Sequence, residues 1–230
     1  IFLNGASGRM GQRIERACVE SQGRARVSVR HSLDASSGDG ERNFDVVLDF
    51  SSDAGAQTAI QSAVRARRAL LVGTTGLSAA THNALRAAAV QIPVLIAPNT
   101  SIGIAVMRYL VEEAARLLAD DFKISIREVH HAKKLDKPSG TAITLADAIR
   151  RGAERSIAAN EIESVRQGEV IGDHEVILDG PGELLSLRHH AKDRDLFALG
   201  ALRLAHWISN QPVGLYGLDE WFSQYKQAKK

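Results

Sequence analysis

Residues 1–23 read IFLNGASGRMGQRIERACVESQG, and the changes of texture inside them set the fold. Ile1 to Asn4 is apolar and β-prone. It runs into the turn GASGRMG at 5–11, after which Met10, Ile14, Ala17 and Cys18 recur at helical spacing and Gly23 offers a stop. Val27 to Val29 then reads as a second short strand. Strand, glycine turn, helix, strand is the opening of a dinucleotide-binding unit. The glycines at 5, 8 and 11 are spaced G-x-x-G-x-x-G, with Ser7 where the commonest fingerprint has its second glycine. Such a turn must be tight, and its backbone must approach a pyrophosphate at the helix N-terminus. A glycine trio is often only a turn; its place between a strand and an amphipathic helix favours the cofactor reading.

The same texture repeats downstream. Val46 to Phe50 reads as a buried strand, followed by a helix through Arg68 that carries Ala56, Ile60 and Val64. Leu70 to Val72 is a strand ending in GTTG, Ser78 is an N-cap for a helix to Ala89, and Val94 to Ala97 is a strand ending in PNTS. Strands alternating with helices imply a parallel, doubly wound sheet with ligands outside the carboxyl ends of its strands. Thr74, Thr75 and Asn99 can serve as caps alone, but their shared location at strand ends favours a cofactor groove.

A long helix follows, with Ile104, Met107, Val111, Ala114 and Leu118 near helical spacing. Beyond it Phe122, Ile124 and Ile126 alternate as in a strand. That strand leads into EVHHAKKLDKPSGTA at 128–142, which crowds two imidazoles, three lysines and an aspartate before a Pro-Ser-Gly-Thr turn. His130 and His131 can exchange a proton near neutral pH, and Lys133, Lys134 and Lys137 bring charge and donors. Ile143, Ala146 and Ile149 share one face of the next helix, with Gly152 as its stop. The free N–H groups near Gly140 and Thr141 would face a carboxylate or phosphate. Taken singly, a His-His pair is often structural and a lysine cluster a solvated face; their conjunction with a helix start points to a small anionic ligand. Adjacent strand histidines point to opposite faces and rarely ligate one ion, so no metal is expected.

After that helix, Val165 to Leu178 and Leu184 to His190 read as strands without a helix between them, joined by Asp-Gly-Pro-Gly. This implies a second, α+β domain with a mixed, mainly antiparallel sheet able to pair with other subunits. A last helix contains Phe197, Ala201, Leu202 and Ala205, and GLYG at 214–217 leads to a tail ending in Lys229-Lys230. The expected division is a dinucleotide-binding domain at 1–101, with 209–230 returning to it, and a substrate-binding and oligomerisation domain at 102–208.

Composition bounds the reading. Across 230 residues, 44% are hydrophobic and 24% charged, as in an ordinary globular protein. A formal charge of +2 with no basic block gives no case for nucleic acid. A single cysteine, Cys18, excludes an internal disulfide framework and fits a reducing compartment, the cytoplasm. No apolar run approaches the roughly 20 residues that span a bilayer, so no membrane partner is expected. The chain opens on IFLN without Met, so its first strand is expected to lack a few residues.

Together the motifs resemble the 4-hydroxy-tetrahydrodipicolinate (dihydrodipicolinate) reductase family of the bacterial diaminopimelate–lysine pathway. GASGRMG, DFS at 49–51, GTTG at 73–76, APNTS at 97–101, EVHHAKKLDKPSGTA, GDHEV at 172–176, HHAKDRDLFALGA at 189–201 and GLYGL at 214–218 stand in the family's order. The resemblance implies NADPH- or NADH-dependent reduction of a cyclic dicarboxylate and a homotetramer. It implies His130 and Lys134 as the acid/base pair, His131 as a substrate ligand, and Gly140 with Thr141 as a carboxylate seat. The cofactor segments it implies are Gly5, Ala6, Ser7, Gly8, Arg9 and Met10, then Gly73, Thr74 and Thr75, then Ala97, Pro98, Asn99 and Thr100. Three positions depart from the family pattern: Thr100 replaces a larger residue, Lys137 a small one, and Arg30-His31 stand where many members have an acid, the nearest here being Asp34. Arg30 and His31 are therefore the expected contacts to the adenosine ribose or its 2′-phosphate. Two rival readings are a dinucleotide-binding sensor without catalysis and a metal hydrolase using His130, His131, His174 and His189.

Overall fold

The computed structural model describes residues 1–31 and 43–227; Asp34 and the terminal Lys229-Lys230 lie outside them. The elements run β1 (Phe2–Asn4), α1 (Arg9–Glu20), β2 (Val29–His31), β3 (Val46–Asp49), α2 (Asp53–Ala66), β4 (Ala69–Val72), α3 (Ala79–Ala88) and β5 (Pro93–Ile96). They continue with α4 (Ile102–Leu118), β6 (Lys123–His130), α5 (Gly140–Ala153), β7 (Glu163–Arg166), β8 (Asp173–Gly180) and β9 (Glu183–His190). The last are α6 (Asp195–Ile208), β10 (Gly214–Tyr216) and α7 (Leu218–Gln227). The chain divides into two compact units, Ile1–Ser101 with Asp195–Lys230, and Ile102–Arg194.

In the first unit six strands lie in the order β10-β5-β4-β3-β1-β2, every neighbouring pair parallel. Strands β1, β3 and β4 are buried along their whole length, which is why they read as unbroken apolar runs. Val47, Leu70, Val72 and Val94 pack with Ala59, Ile60 and Ala63 of α2 and Leu85 and Ala88 of α3. Helices α1 and α6 pack on each other, and α6 also lies on β3, β4 and β5. The boundary thus differs from the expected one: α6 belongs to the first unit, not to a domain ending at 208. The physical reason is that a parallel sheet needs cover on both faces, and α6 buries Ala198, Ala201, Leu204, Ala205 and Ile208 there. Arg13 and Arg16 of α1 both bond Asp195 at its start. The C-terminal segment read as a tail is a helix around the buried Trp221.

The second unit is a four-stranded sheet in the order β7-β6-β8-β9. β6–β8 and β8–β9 are antiparallel, whereas β6–β7 is parallel. The expected strand from Val165 to Leu178 is therefore two strands. Between them residues 167–172, with Gly168 at φ +53, cross the carboxyl end of β6 so that β7 and β8 can flank it. Ile124 and Ile126 join Leu145 and Ile149 of α5 and Met107 and Val111 of α4 in one core. Each such side chain contributes about 1.5–3 kcal/mol when fully buried. Gly152 does not stop α5. It lies inside the helix, where a Cβ would stand 2.2 Å from the Glu112 carbonyl oxygen of α4, and Glu154 at φ +53 is the left-handed cap. No helix among the described residues is long and apolar enough to cross a membrane.

Candidate active site

The period-two stripe of β6 does not end with its apolar residues. Ile124, Ile126, Glu128 and His130 fall on the same buried face, so that the core passes into a charged cluster at the strand's carboxyl end. Glu128 is fully buried, and its carboxylate accepts bonds from His130 Nδ1, from Arg166 at 2.8 Å and from the Ser139 N–H at 3.3 Å. Sheet register brings these groups together, because His130 faces Arg166 on β7 and Glu128 faces His174 on β8. Arg166 also donates to the Asp136 carbonyl at 2.6 Å, tying the loop at 131–139 to the strand. Ser139 caps α5 by accepting from Ala142 N–H, and its hydroxyl lies 3.2 Å from His174 Nε2. Ring against ring, His130 and His174 meet edge to face at 5.0 Å.

Burial works to raise the Glu128 pKa, but bonds from Arg166 and His130 outweigh it and hold the carboxyl below its ordinary value. For His130, burial lowers the pKa, the Glu128 bond and charge raise it, and Lys134 and Arg166 lower it; the balance lies below the usual imidazole value. His174 is pushed down to about 3 by burial and by His130 beside it, so it is neutral at physiological pH. Lys134 Nζ bonds Asp136 at 2.7 Å, two residues along the same loop. His131 is half-buried just beyond the strand end, and Lys133 and Lys137 are exposed. Gly140 is exposed with open space where a side chain would stand, and Thr141 is half-buried behind it.

The sequence motifs assign no catalytic role to Glu128, Arg166, Ser139 or Gly172, and His174 enters only among the histidines of the hydrolase reading. Glu128 was within reach, since the alternation of Phe122, Ile124 and Ile126 continues to it; Arg166 depends on a parallel strand pairing that no local pattern encodes. Glu128, His130 and His174 offer donor atoms all within 4.8 Å of one another, a spacing a metal ion could use. Arg166, however, already places a guanidinium charge on that carboxylate. His131 and His189, the other two histidines of the hydrolase reading, are outside this group.

In the first unit the carboxyl ends of β1, β3, β4 and β5 lie side by side, bringing 5–10, 50–51, 73–75 and 97–100 to one edge. Gly5 has φ +82, and a Cβ there would stand 2.3 Å from the Phe50 carbonyl oxygen. Gly8 is the N-cap of α1 and makes no side-chain cap, with Ser7, Gly8 and Arg9 exposed, while Ala6 is buried and Met10 partly so. That exposed helix start suits a pyrophosphate. Thr75 and Pro98 are exposed, and Asn99 is half-buried. Three expected residues face inward instead. Thr74 gives its hydroxyl to Asp49 at 2.6 Å, Thr100 gives its own to the Phe197 carbonyl at 2.7 Å, and Ala97 is fully buried. Gly73 lies under the Phe50 ring, which a Cβ would meet at 2.2 Å. Arg30 is exposed and pairs through Nε with Glu15 of α1, and His31 Nδ1 lies 2.8 Å from Asn4 Oδ1.

A parallel dinucleotide-type sheet joined to a unit whose strand end presents an imidazole and a lysine defines a two-unit α/β oxidoreductase. The N-terminal model of dihydrodipicolinate reductase matches residues 1–100, and the C-terminal model matches 103–222. The chain belongs to the dihydrodipicolinate reductase family. It is 36% identical over 242 residues to the 4-hydroxy-tetrahydrodipicolinate reductase of Zymomonas mobilis, covering 96% of this chain and 95% of that one. With the enzyme of the same name from Campylobacter jejuni serotype O:2 it shares 34% over 238 residues, 96% of this chain and 98% of the other. Its fold matches the dipicolinate-bound dihydrodipicolinate reductase of Paenisporosarcina sp. TG-14 with a TM-score of 0.74, at 22% identity, over 94% of this chain and 96% of that structure.

Proposed function

We infer that the chain uses a pyridine nucleotide to reduce 4-hydroxy-tetrahydrodipicolinate to tetrahydrodipicolinate, in lysine biosynthesis by the diaminopimelate route. The observation that carries this reading is the carboxyl end of β6, where His130 is held by a buried carboxylate two residues from the strand's last apolar pair. The exposed start of α1, at Gly5 to Met10, would hold the dinucleotide, which when bound would supply a hydride. His130, with Lys134, gives the proton that neutralises the electron pair left on the substrate. His131 holds the substrate, and the Gly140 and Thr141 N–H groups at the start of α5 receive a carboxylate. The free chain keeps His130 below its ordinary pKa; an arriving dicarboxylate adds negative charge beside it and favours the proton.

NADPH serves at least as well as NADH in this reading, because the guanidinium of Arg30 is exposed at the edge of the groove and has donors beyond the Nε used by Glu15. The protein works in the cytoplasm as a homotetramer. In support, β9 is an edge strand with exposed Leu184 and Leu185, an edge that pairing between copies would cover. The sensor reading has no observation in its favour, since the proton donors are present; the hydrolase reading has the spacing of Glu128, His130 and His174, but Arg166 offsets the charge that would attract a metal. The test is oxidation of NADPH or NADH on adding freshly generated 4-hydroxy-tetrahydrodipicolinate. Turnover supports the assignment, and none with either nucleotide sinks it.

A further inference from the structure

The loop at 167–172 crosses the end of β6 and leaves His130 between two sides. On one side Nδ1 meets the Glu128 carboxylate, which can only accept. On the other, Nε2 faces Gly172, where even a Cβ would come within 3.1 Å. Glu128 is itself fixed from three directions, by Arg166, by the Ser139 N–H at the start of α5 and by His130. Arg166 reaches in turn to the Asp136 carbonyl, in the loop that carries Lys134.

We propose that Glu128, clamped by Arg166, is a positioning residue for proton transfer. It holds the proton of neutral His130 on Nδ1, aims Nε2 along the clear side left by Gly172, and stabilises the imidazolium form that donates to substrate. The proposal rests on the reading of His130 as proton donor. Arg166 sets the opposing limit: it compensates the buried Glu128 charge, so the carboxylate does not strip the proton from the imidazolium. The imidazolium Nε2–H bond breaks, a bond from hydrogen to substrate forms, and the ring is left neutral with its remaining proton on Nδ1.

The groups facing His130 are Glu128 on its own strand, Arg166 on β7, His174 on β8 and Lys134 in the following loop. Only Glu128 raises its proton affinity. Replacing Glu128 by Gln keeps the shape and removes the charge. His130 should then lose its proton at a pH lower by about one unit or more, the size typical of one close opposite charge. Activity that needs protonated His130 is lost as pH rises through its pKa, so the alkaline limb of kcat should move down by the same amount. Glu128→Asp, which keeps the charge, should return the limb toward wild type.

The experiment pairs the kcat–pH profile with nitrogen-15 NMR of the His130 ring in the free protein. Both limb and titration moving down in Glu128→Gln supports the proposal. A wild-type enzyme that turns over, with both unmoved in that variant, overturns it. If wild type does not reduce the substrate, the assigned function fails, while the ring titration still decides what Glu128 does. Should Glu128→Gln not fold, wild type alone suffices: neutral His130 is expected as the Nδ1–H tautomer, and the Nε2–H tautomer would overturn the proposal.

Discussion

Among the described residues each unit buries one carboxylate completely at the carboxyl end of its strands, and the two are treated in opposite ways. Asp49 at the end of β3 is surrounded by neutral donors, Asn4 at 2.6 Å, Thr74 at 2.6 Å and the Ser51 hydroxyl. Burial dominates there and raises its pKa, with the three bonds working against it. Glu128 at the end of β6 has a guanidinium and an imidazole instead, and its pKa is lowered. The first carboxyl is a structural knot that ties β1, β3 and the turn after β4 beneath the cofactor edge. The second is charged, and a charge placed on an imidazole changes when that imidazole gives up its proton. Neutral donors offset part of the cost of burying Asp49, whereas at Glu128 the charges of Arg166 and His130 outweigh it.

The comparison breaks most visibly if the wrong carboxylate matters to stability. Glu128→Ala should cost about 3–5 kcal/mol, because Arg166 is left nearly buried without its anion. Urea unfolding of the variant measures this, and a loss below about 1 kcal/mol would mean that the ion pair is idle. The pH dependences should differ in sign as well. Glu128 has a lowered folded pKa, so its contribution is present above pH 4.5 and is lost as pH falls through the folded value. Asp49 has a raised one, so it costs stability as pH rises from 3.8 through its folded value.

A smaller effect is expected at the clear side of His130. Gly172→Ala should lower kcat by about tenfold or more, near 1.4 kcal/mol in the barrier, while the melting temperature barely changes. Normal turnover would mean that Nε2 does not work through that opening. Arg30→Asp should shift the ratio of kcat/KM for NADPH over NADH toward NADH by about tenfold or more, the loss of one charged contact of roughly 1.5–3 kcal/mol. An unchanged ratio removes Arg30 from phosphate recognition and leaves it as the partner of Glu15. Asp49→Asn is the mildest. The new amide can still accept from Asn4 and donate to Thr74, so the change in stability should stay within about 1.5 kcal/mol. It should shift in the variant's favour as pH rises above 3.8, because the variant has no carboxylate to desolvate. A flat difference across that range would show that Asp49 does not titrate as described.

What could be read in advance follows from the range of each interaction. The turn GASGRMG and the apolar runs of β3, β4 and β5 encode the parallel sheet locally, strand by strand. Helix α6 was assigned to the wrong unit because its apolar face says only that it is buried, not against what. Gly152 looked like a stop, but its small size serves the approach to Glu112 on another helix. Likewise His130 and Lys134 stand in one motif, whereas Arg166 joins them only because β7 lies parallel to β6. Thr74 and Thr100 sat in cofactor-like loops, yet their hydroxyls turn inward to Asp49 and the Phe197 carbonyl. Proximity along the chain was legible, and proximity across strands was not.

The central claim is that the end of β6 donates the proton, and His130→Ala tests it most directly. NADPH oxidation with freshly generated 4-hydroxy-tetrahydrodipicolinate should fall on the order of 100-fold or more in kcat relative to wild type. Binding of NADPH, followed by fluorescence in the absence of substrate, should be unchanged, because His130 lies outside the dinucleotide-binding unit. A variant that binds NADPH normally and still turns over within a fewfold of wild type would contradict the account.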